Sequence, residues 1–399
     1  MTDYLRNVRE LFPYTQSLRR DFHMHPELGF KEIRTGGIVA SELSSLGMEV
    51  AKGIGKTGVV GLMEGGKPGP TLLLRFDMDA LPIKEETGTE YASQSEGVMH
   101  ACGHDGHTAI GLTVARMLSV NREQLAGRIK FCFQPSEEGY NGEEIGGAEM
   151  MIRDGVLESP KVDMTLALHL WNEKPLGWIH SAKGPVMAGA EEFKIIITGR
   201  GGHGAVPQQT IDPILAAAQV INSTQSIVSR NVGPLETAVV SFTMFHSGTA
   251  FNIIPKEAIL EGTIRTFDRV VRRKVLERFD KIVEGTASAM GCQVDINVKQ
   301  LSPALINDDK VTSIVQATAE RILPDSTHDH SPYMTMGAED MAFMQELVPG
   351  CYFFIGSANP ERGLIHGHHH PKFDFDEEAL IRGAALMASA AEDILRFGN

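Results

Sequence analysis

The sequence predicts an α/β protein: a mixed, largely parallel sheet flanked by helices, with an inserted ferredoxin-like βαββαβ domain. Three observations predict it. Short apolar runs alternate with amphipathic helical stretches up to residue 185. Between residues 188 and 298 the order becomes strand, helix, strand, strand, helix, strand, and from residue 299 the first pattern resumes. Alternating strands and helices imply a sheet with a substantial parallel component, whereas βαββαβ is the order of a self-contained ferredoxin-like unit. The chain therefore reads as one domain of residues 1–187 and 299–399, interrupted by a second domain of residues 188–298.

Taken in order, Leu5, Val8 and Leu11 open an amphipathic helix, and Gly36–Leu46 predicts another. The runs Val59–Met63, Thr71–Phe76, Ile129–Phe133 and Met164–Leu168 predict strands, with a helix over His107–Leu118 between the second and third. In the inserted domain Glu191–Ile197 alternates as a strand. Asp212–Arg230 is helical, with Asp212 as cap and Pro213 in the first turn. Thr237–Phe245 and Ala258–Phe267 are strands, Val270–Met290 a helix and Cys292–Lys299 the last strand. The returning segment predicts a helix at Val311–Leu323, a strand at Cys351–Gly356 and a helix over Asp376–Phe397.

Composition excludes several function classes. A length of 399 residues with 42% apolar and 22% charged residues is ordinary for a globular enzyme with a sizeable core. A net charge of −14 argues against nucleic acid, since phosphate binding needs clustered Lys and Arg. The densest basic group, Arg269, Arg272, Arg273 and Lys274, has helical spacing and reads as a solvated helix face. No apolar run approaches the roughly 18 residues of a membrane span, and the opening M-T-D-Y-L-R lacks the apolar core of a secretory signal. Cys102, Cys132, Cys292 and Cys351 are far apart and form no CxxC pair, as expected of free thiols in a reducing compartment. The expectation is a soluble, cytoplasmic enzyme acting on a small molecule.

The residues at the ends of the apolar runs carry the chemistry. The second run leads into Asp77-Met78-Asp79, the third into Gln134-Pro135-Ser136-Glu137-Glu138-Gly139, and the fourth into His169. Open α/β sheets bind ligands beyond the carboxyl ends of their strands, so these residues would gather on one rim. Met99–His107 reads M-H-A-C-G-H-D-G-H. Cys102 and His104 are one residue apart, so in an extended segment or tight turn both can face one point. Thiolate and imidazole together suit zinc or a similar transition metal rather than magnesium or calcium. An isolated Glu-Glu pair would read as a solvated turn, but Glu137–Glu138 follows an apolar strand between Pro135 and Gly139. One carboxylate can then bind metal while its neighbour serves as base. His169 could also be a core histidine, and spacing leaves open which member of the cluster His366, His368, His369 and His370 is a ligand. Cys102, His104, Glu138, His169 and one late histidine exceed what one tetrahedral zinc needs. They suit two metals with open positions for water and substrate, Cys102 being able to bridge.

The segments H-P-E-L-G-F-K-E (His25–Glu32), D-M-D-A-L-P (Asp77–Pro82), M-H-A-C-G-H-D-G-H, Q-P-S-E-E-G, G-G-H-G-A-V-P (Gly201–Pro207), F-N-I-I-P (Phe251–Pro255) and H-H-P-K-F-D-F (His369–Phe375) occur in order. Together they resemble the M20 metallopeptidase family, in its amidohydrolase branch of N-acyl-amino-acid, hippurate and auxin-conjugate hydrolases. The resemblance implies Cys102, His104, Glu138, His169 and His369 as metal ligands and Glu137 as catalytic base. His369 stands two places before Pro371, where relatives carry the ligand. His370 replaces their usual Asn or Ser and is the alternative. The resemblance further implies that His203 crosses a dimer interface to the substrate carbonyl and that Asn252 and Arg265 hold the substrate carboxylate, a strand-edge salt bridge being the other reading of Arg265. Asp79 and Asp105 would orient imidazoles or water. Glu339 and Asp340 match a family segment without an assigned role.

The implied reaction is hydrolysis of the amide bond of N-acyl or N-aroyl amino acids. It would use two divalent ions, zinc first, with manganese, cobalt or nickel as alternatives, and a homodimer or higher homo-oligomer. The alternative is a carboxypeptidase or dipeptidase acting on short peptides. Two other classes are a cysteine amidase with Cys102 as nucleophile and a non-enzymatic metal sensor or store.

Overall fold

In the computed structural model, which describes residues 2–139 and 143–397, the chain forms two units. The first comprises Met1–Val186, Ile306–Tyr333 and Asp340–Asn399, and the second Met187–Leu305 with Met334–Glu339.

The first unit opens with helices α1 (Tyr4–Met24) and α2 (Ile33–Ser45) and strands β1 (Glu49–Ile54), β2 (Gly58–Glu64) and β3 (Lys67–Asp77). Helix α3 (His104–Val120), strand β4 (Ala126–Gln134), helix α4 (Gly147–Arg153) and strands β5 (Met164–Pro175) and β6 (Trp178–His180) follow. The second unit supplies β7 (Gly189–Thr198), α5 (Pro213–Ser226), β8 (Ala238–Ser247), β9 (Glu257–Thr266), α6 (Arg269–Ala289) and β10 (Gln293–Ser302). The chain then returns through α7 (Asp309–Ile322), β11 (Thr327–Asp329), α8 (Met341–Leu347), β12 (Gly350–Ala358) and α9 (Glu378–Phe397).

The sheet of the first unit has the order β1-β2-β4-β3-β5-β12-β6-β11. Its centre is parallel: β3 pairs with β4 and β5, and β12 with β5, in one direction. Such strands are covered on both faces, which is why they read as continuous apolar runs. Leu72, Leu73, Leu74 and Phe76 of β3 and every residue of β12 are buried. Helix α3 packs against β3, α1 and α9 and is buried on nearly every side. It fits because its glycines let ring side chains approach: a Cβ on Gly111 would stand 2.7 Å from the Phe76 ring.

Two of the differences from the sequence expectation bear on the site. Helix α3 starts at His104, not His107, because Gly103 takes a left-handed φ of 89° and turns the chain into the helix directly after Cys102. Strand β5 continues to Pro175, so His169 lies within it. Pairing with β3 nevertheless stops at Ala167, which leaves His169 just beyond the paired end of its neighbour.

In the second unit the sheet runs β8-β9-β7-β10, with all three pairings antiparallel. With strands numbered within this unit that is 2-3-1-4, the ferredoxin-like arrangement. Helices α5 and α6 pack on each other and on the sheet, enclosing Phe193, Ile195, Val220, Leu260 and Phe279. Asp212 accepts from the Ile214 and Leu215 amides at the start of α5, and Asp268 does the same for Val270 and Val271 on α6. Met334–Glu339 belongs here because the Ala188 amide donates to the carbonyls of Thr335 and Gly337. Among the described residues no helix is long and apolar enough to cross a membrane.

Candidate metal centre

The carboxyl ends of β3 and β4, the start of α3 and the middle of β5 bring Cys102, His104, Glu137, Glu138 and His169 together. Donor atoms of Cys102, His104 and His169 lie within 4.8 Å of one another, as do those of His104, Glu137 and Glu138, and those of Cys102, Glu138 and His369. Ligands about 2.0–2.3 Å from a tetrahedral ion stand roughly 3.3–3.8 Å apart, so these overlapping triads match the spacing of a metal cluster.

Local backbone explains the convergence. Gly103 reverses the chain between Cys102 and His104, so the thiol and the imidazole of the first helical residue point the same way. Ser136 holds a left-handed φ of 47° after β4, a strained conformation of the kind found at functional turns. Glu32 accepts the Ser136 amide at 2.9 Å, and the Ser136 carbonyl accepts the Gly147 amide at 3.1 Å. Gly147 has to be glycine there, since a Cβ would lie 1.6 Å from the Pro135 carbonyl oxygen. His369 is also left-handed, with φ 64°.

Hydrogen bonds set the tautomers. His104 Nδ1 faces the Asp79 carbonyl at 3.0 Å and its carboxylate at 3.2 Å, while Asp79 Oδ2 accepts the Glu138 amide at 3.0 Å. His104 Nε2 is turned inward, 3.9 Å from both Glu137 and Glu138, and is buried without a hydrogen-bond partner. His169 Nδ1 donates to the Leu170 carbonyl at 2.6 Å, leaving Nε2 3.5 Å from Cys102 Sγ. His369 Nε2 lies 3.1 Å from Glu138 Oε1.

The electrostatics call for a cation. Burial opposes charge on His104, but Asp77 and then Asp79 outweigh it and raise the imidazole to about 10. Burial, then Glu138 and Glu137, push the Cys102 thiol well above its usual range. Burial drives His169 well below its usual range, with His107 and His368 adding to the effect. An inward-facing imidazole nitrogen, a thiol kept from ionising by adjacent carboxylates and a neutral imidazole fit a divalent ion. Such an ion replaces the proton on each donor. The same raised thiol weighs against a cysteine nucleophile, which needs a depressed one.

His370 is directed elsewhere: its ring stacks on His366 at 4.3 Å and its Nδ1 accepts the Lys372 amide at 3.0 Å. Asp105 does not orient a residue of this cluster. It accepts from buried Arg19 at 2.8 Å and bonds His23 at 2.8 Å, in a network with Asp374 and Glu377. His203, Asn252 and Arg265 lie in the second unit. His203 is exposed, pairs its backbone with Ile253 and accepts the Ala205 amide on Nδ1, and the Asn252 carbonyl accepts the Gly204 amide. Arg265 sits on β9, where burial lowers its guanidinium against the opposing charge of Glu191. Asp340 accepts from Arg75 and Gln134 in the first unit.

Sequence reasoning gave three residues no role of their own. Asp77 bonds His107 Nδ1 at 2.7 Å, and the Leu170 amide donates to His107 Nε2 at 2.9 Å. His107 is therefore occupied on both nitrogens and ties α3 to β3 and β5. The third is His368, with Nδ1 3.9 Å from Cys102 Sγ. A histidine one turn after His104 and an Asp at a strand end were visible signals for the first two. Nothing in the spacing of the late cluster singled out His368.

A model of peptidase family M20/M25/M40 matches residues 73–393. The chain is 39% identical to thermostable carboxypeptidase 1 of Saccharolobus solfataricus over 402 residues, covering 100% of this chain and 99% of that one. It is 38% identical to N-acetylcysteine deacetylase of Bacillus subtilis over 381 residues, covering 95% and 96%. The crystal structure of the Bacillus subtilis YXEP protein, a dinuclear metal-binding peptidase of the M20 family, superposes with a TM-score of 0.84 at 34% identity, covering 97% of this chain and 99% of that one.

Proposed function

The chain belongs to peptidase family M20/M25/M40, and we therefore propose that it hydrolyses the amide bond of N-acyl or N-aroyl amino acids, releasing a carboxylic acid and a free amino acid. Cys102, His104, Glu138, His169 and His369 would hold two divalent ions, zinc first. The observation that carries this reading is His104 Nε2, inward and unpartnered, with two adjacent carboxylates each 3.9 Å away. One carboxylate is needed as a ligand, and the other is left in reach for proton transfer.

When bound, the metal ions would supply a water more acidic than bulk water and positive charge to offset that developing on the carbonyl oxygen. Glu137 takes the proton of the attacking water and passes it to the leaving amine. Asp79 fixes both the His104 ring and the Glu138 backbone, so a ligand and the carboxylate loop are positioned by one residue. His203 would stabilise the developing oxyanion and Asn252 and Arg265 would receive the substrate carboxylate. Likeness to a carboxypeptidase at 39% identity supports short peptides as the second reading, since a C-terminal residue presents the same amide and carboxylate. The four buried free cysteines support a cytoplasmic setting, and exposed Met244 and Phe245 on edge strand β8 support assembly through the second unit.

The test is metal-depleted protein reloaded with zinc, manganese, cobalt or nickel and assayed on N-acetyl, N-benzoyl, N-indolylacetyl and dipeptide substrates. Glu137→Gln should keep its metal content and lose about 10²–10⁴-fold in turnover. Near-normal turnover with full metal would refute Glu137 as base. Hydrolysis of dipeptides alone would replace the preferred substrate class with the second.

A further inference from the structure

His368 belongs to no donor triad, yet its ring reaches the sulfur of Cys102. Its Nδ1 stands 3.9 Å from Cys102 Sγ, and on the other side of the ring the Asn172 amide donates to Nε2 at 3.3 Å. A nitrogen that accepts a hydrogen bond carries no proton, so the ring proton sits on Nδ1, which has both the backbone and the sulfur of Cys102 before it. His169 has the complementary tautomer: its Nδ1 proton goes to the Leu170 carbonyl, and its Nε2 lone pair faces the same sulfur. One imidazole therefore presents a lone pair to the cluster and the other an N–H.

The orientation is held from several sides. The Trp171 and Phe373 rings flank His368 with centroids 4.9 and 5.1 Å away. Asn172 is anchored through its side chain, which donates to the carbonyls of His366 and Asp374 and accepts from Ser357. For Nδ1 to act as a ligand, the proton would have to move to Nε2, directly against the Asn172 N–H.

We propose that His368 is a positioning residue that donates an Nδ1–H hydrogen bond to the Cys102 thiolate, drawing electron density from sulfur and fixing its direction without ligating metal. The proposal rests on Cys102 being a metal ligand. A hydrogen bond to a metal-bound thiolate lowers the energy of its sulfur lone pairs, and loss of such a partner typically weakens metal binding 10–100-fold.

The test compares cobalt(II)-loaded wild type, His368→Leu and His368→Asn by near-ultraviolet and visible absorption and by competition with a chromophoric chelator. Asparagine carries an amide N–H at nearly the position of Nδ1. The thiolate-to-cobalt band should move to longer wavelength in His368→Leu and return toward its original position in His368→Asn. The leucine variant should also hold metal about tenfold less tightly. A band that stays in place in His368→Leu overturns the hydrogen bond, as does one that fails to return in a normally melting His368→Asn. Ligand-field bands showing a lost nitrogen donor in His368→Leu overturn it in favour of direct ligation. Absence of any thiolate band in the wild type overturns the reading of Cys102 itself.

Discussion

Among single residues, Glu32 shows how a buried acid supports the site from outside it. Its carboxylate is fully buried, accepts the Ser136 amide and the Thr57 hydroxyl, and so anchors the left-handed turn that carries Glu137 and Glu138. Burial, and then the charge of Asp79, push it up to about 7. The folded state therefore binds a proton that the unfolded chain, at about 4.3, has already released. The stability that Glu32 contributes should accordingly fall as pH rises from about 4.5 to 7, by something on the order of 2–3 kcal/mol. Glu32→Gln keeps the shape and one acceptor but removes the titration. In chelator-treated protein the stability of Glu32→Gln should rise relative to that of the wild type across that window, because the buried histidines that also titrate there act equally on both. Equal slopes in the two proteins would show that Glu32 is not the group responsible.

Among the elements, helix α2 carries two adjacent glycines whose surroundings differ. Gly36 is buried, and a Cβ there would stand 3.0 Å from the Thr57 carbonyl oxygen; Gly37 is exposed and would meet nothing within 4 Å. Gly36 therefore sets how closely α2 approaches the β1–β2 turn, whereas Gly37 only weakens the helix. Gly37→Ala should stabilise the protein by ~0.5–1 kcal/mol through helix propensity. Gly36→Ala should lose that gain to the close contact and come out neutral or destabilised. Urea denaturation of both variants measures the difference, and equal gains would mean that α2 is free to shift. Helix α3 shows the same logic with a functional outcome, because Gly103 and Gly111 let one helix deliver His104 to the rim and lie flat on β3.

Across the molecule as a whole, the proposed donor residues all come from the first unit, in segments from Cys102 to His369. A ligand that binds only the folded state stabilises it by RT ln(1 + [L]/Kd), about 2.7 kcal/mol at 100 times Kd. Chelation should therefore raise hydrogen exchange at the start of α3, around His169 in β5 and in the 366–370 segment. Amides of β7–β10 should be much less affected. Uniform loss of protection over both units would instead place the metal's contribution in a single global unfolding step.

The alternation of apolar runs with helical stretches was legible in the sequence because burial on two faces and burial on one stripe leave different periodicities. So were the residue types of the centre: a thiol, imidazoles and paired carboxylates follow apolar strands, where an open sheet exposes its carboxyl ends. Asp105 misled, since its place beside His104 says nothing of the Arg19 guanidinium brought to it from α1. Residue order alone settled which donors the chain owns and the succession in which its strands would present them. The direction each donor faces was settled only when the chain folded. The sign of φ at Gly103 and His369, the carbonyl that takes the His169 proton and the amide that turns His368 toward Cys102 all depend on how the folded backbone and its packed neighbours sit. Linear spacing carries no record of such arrangements.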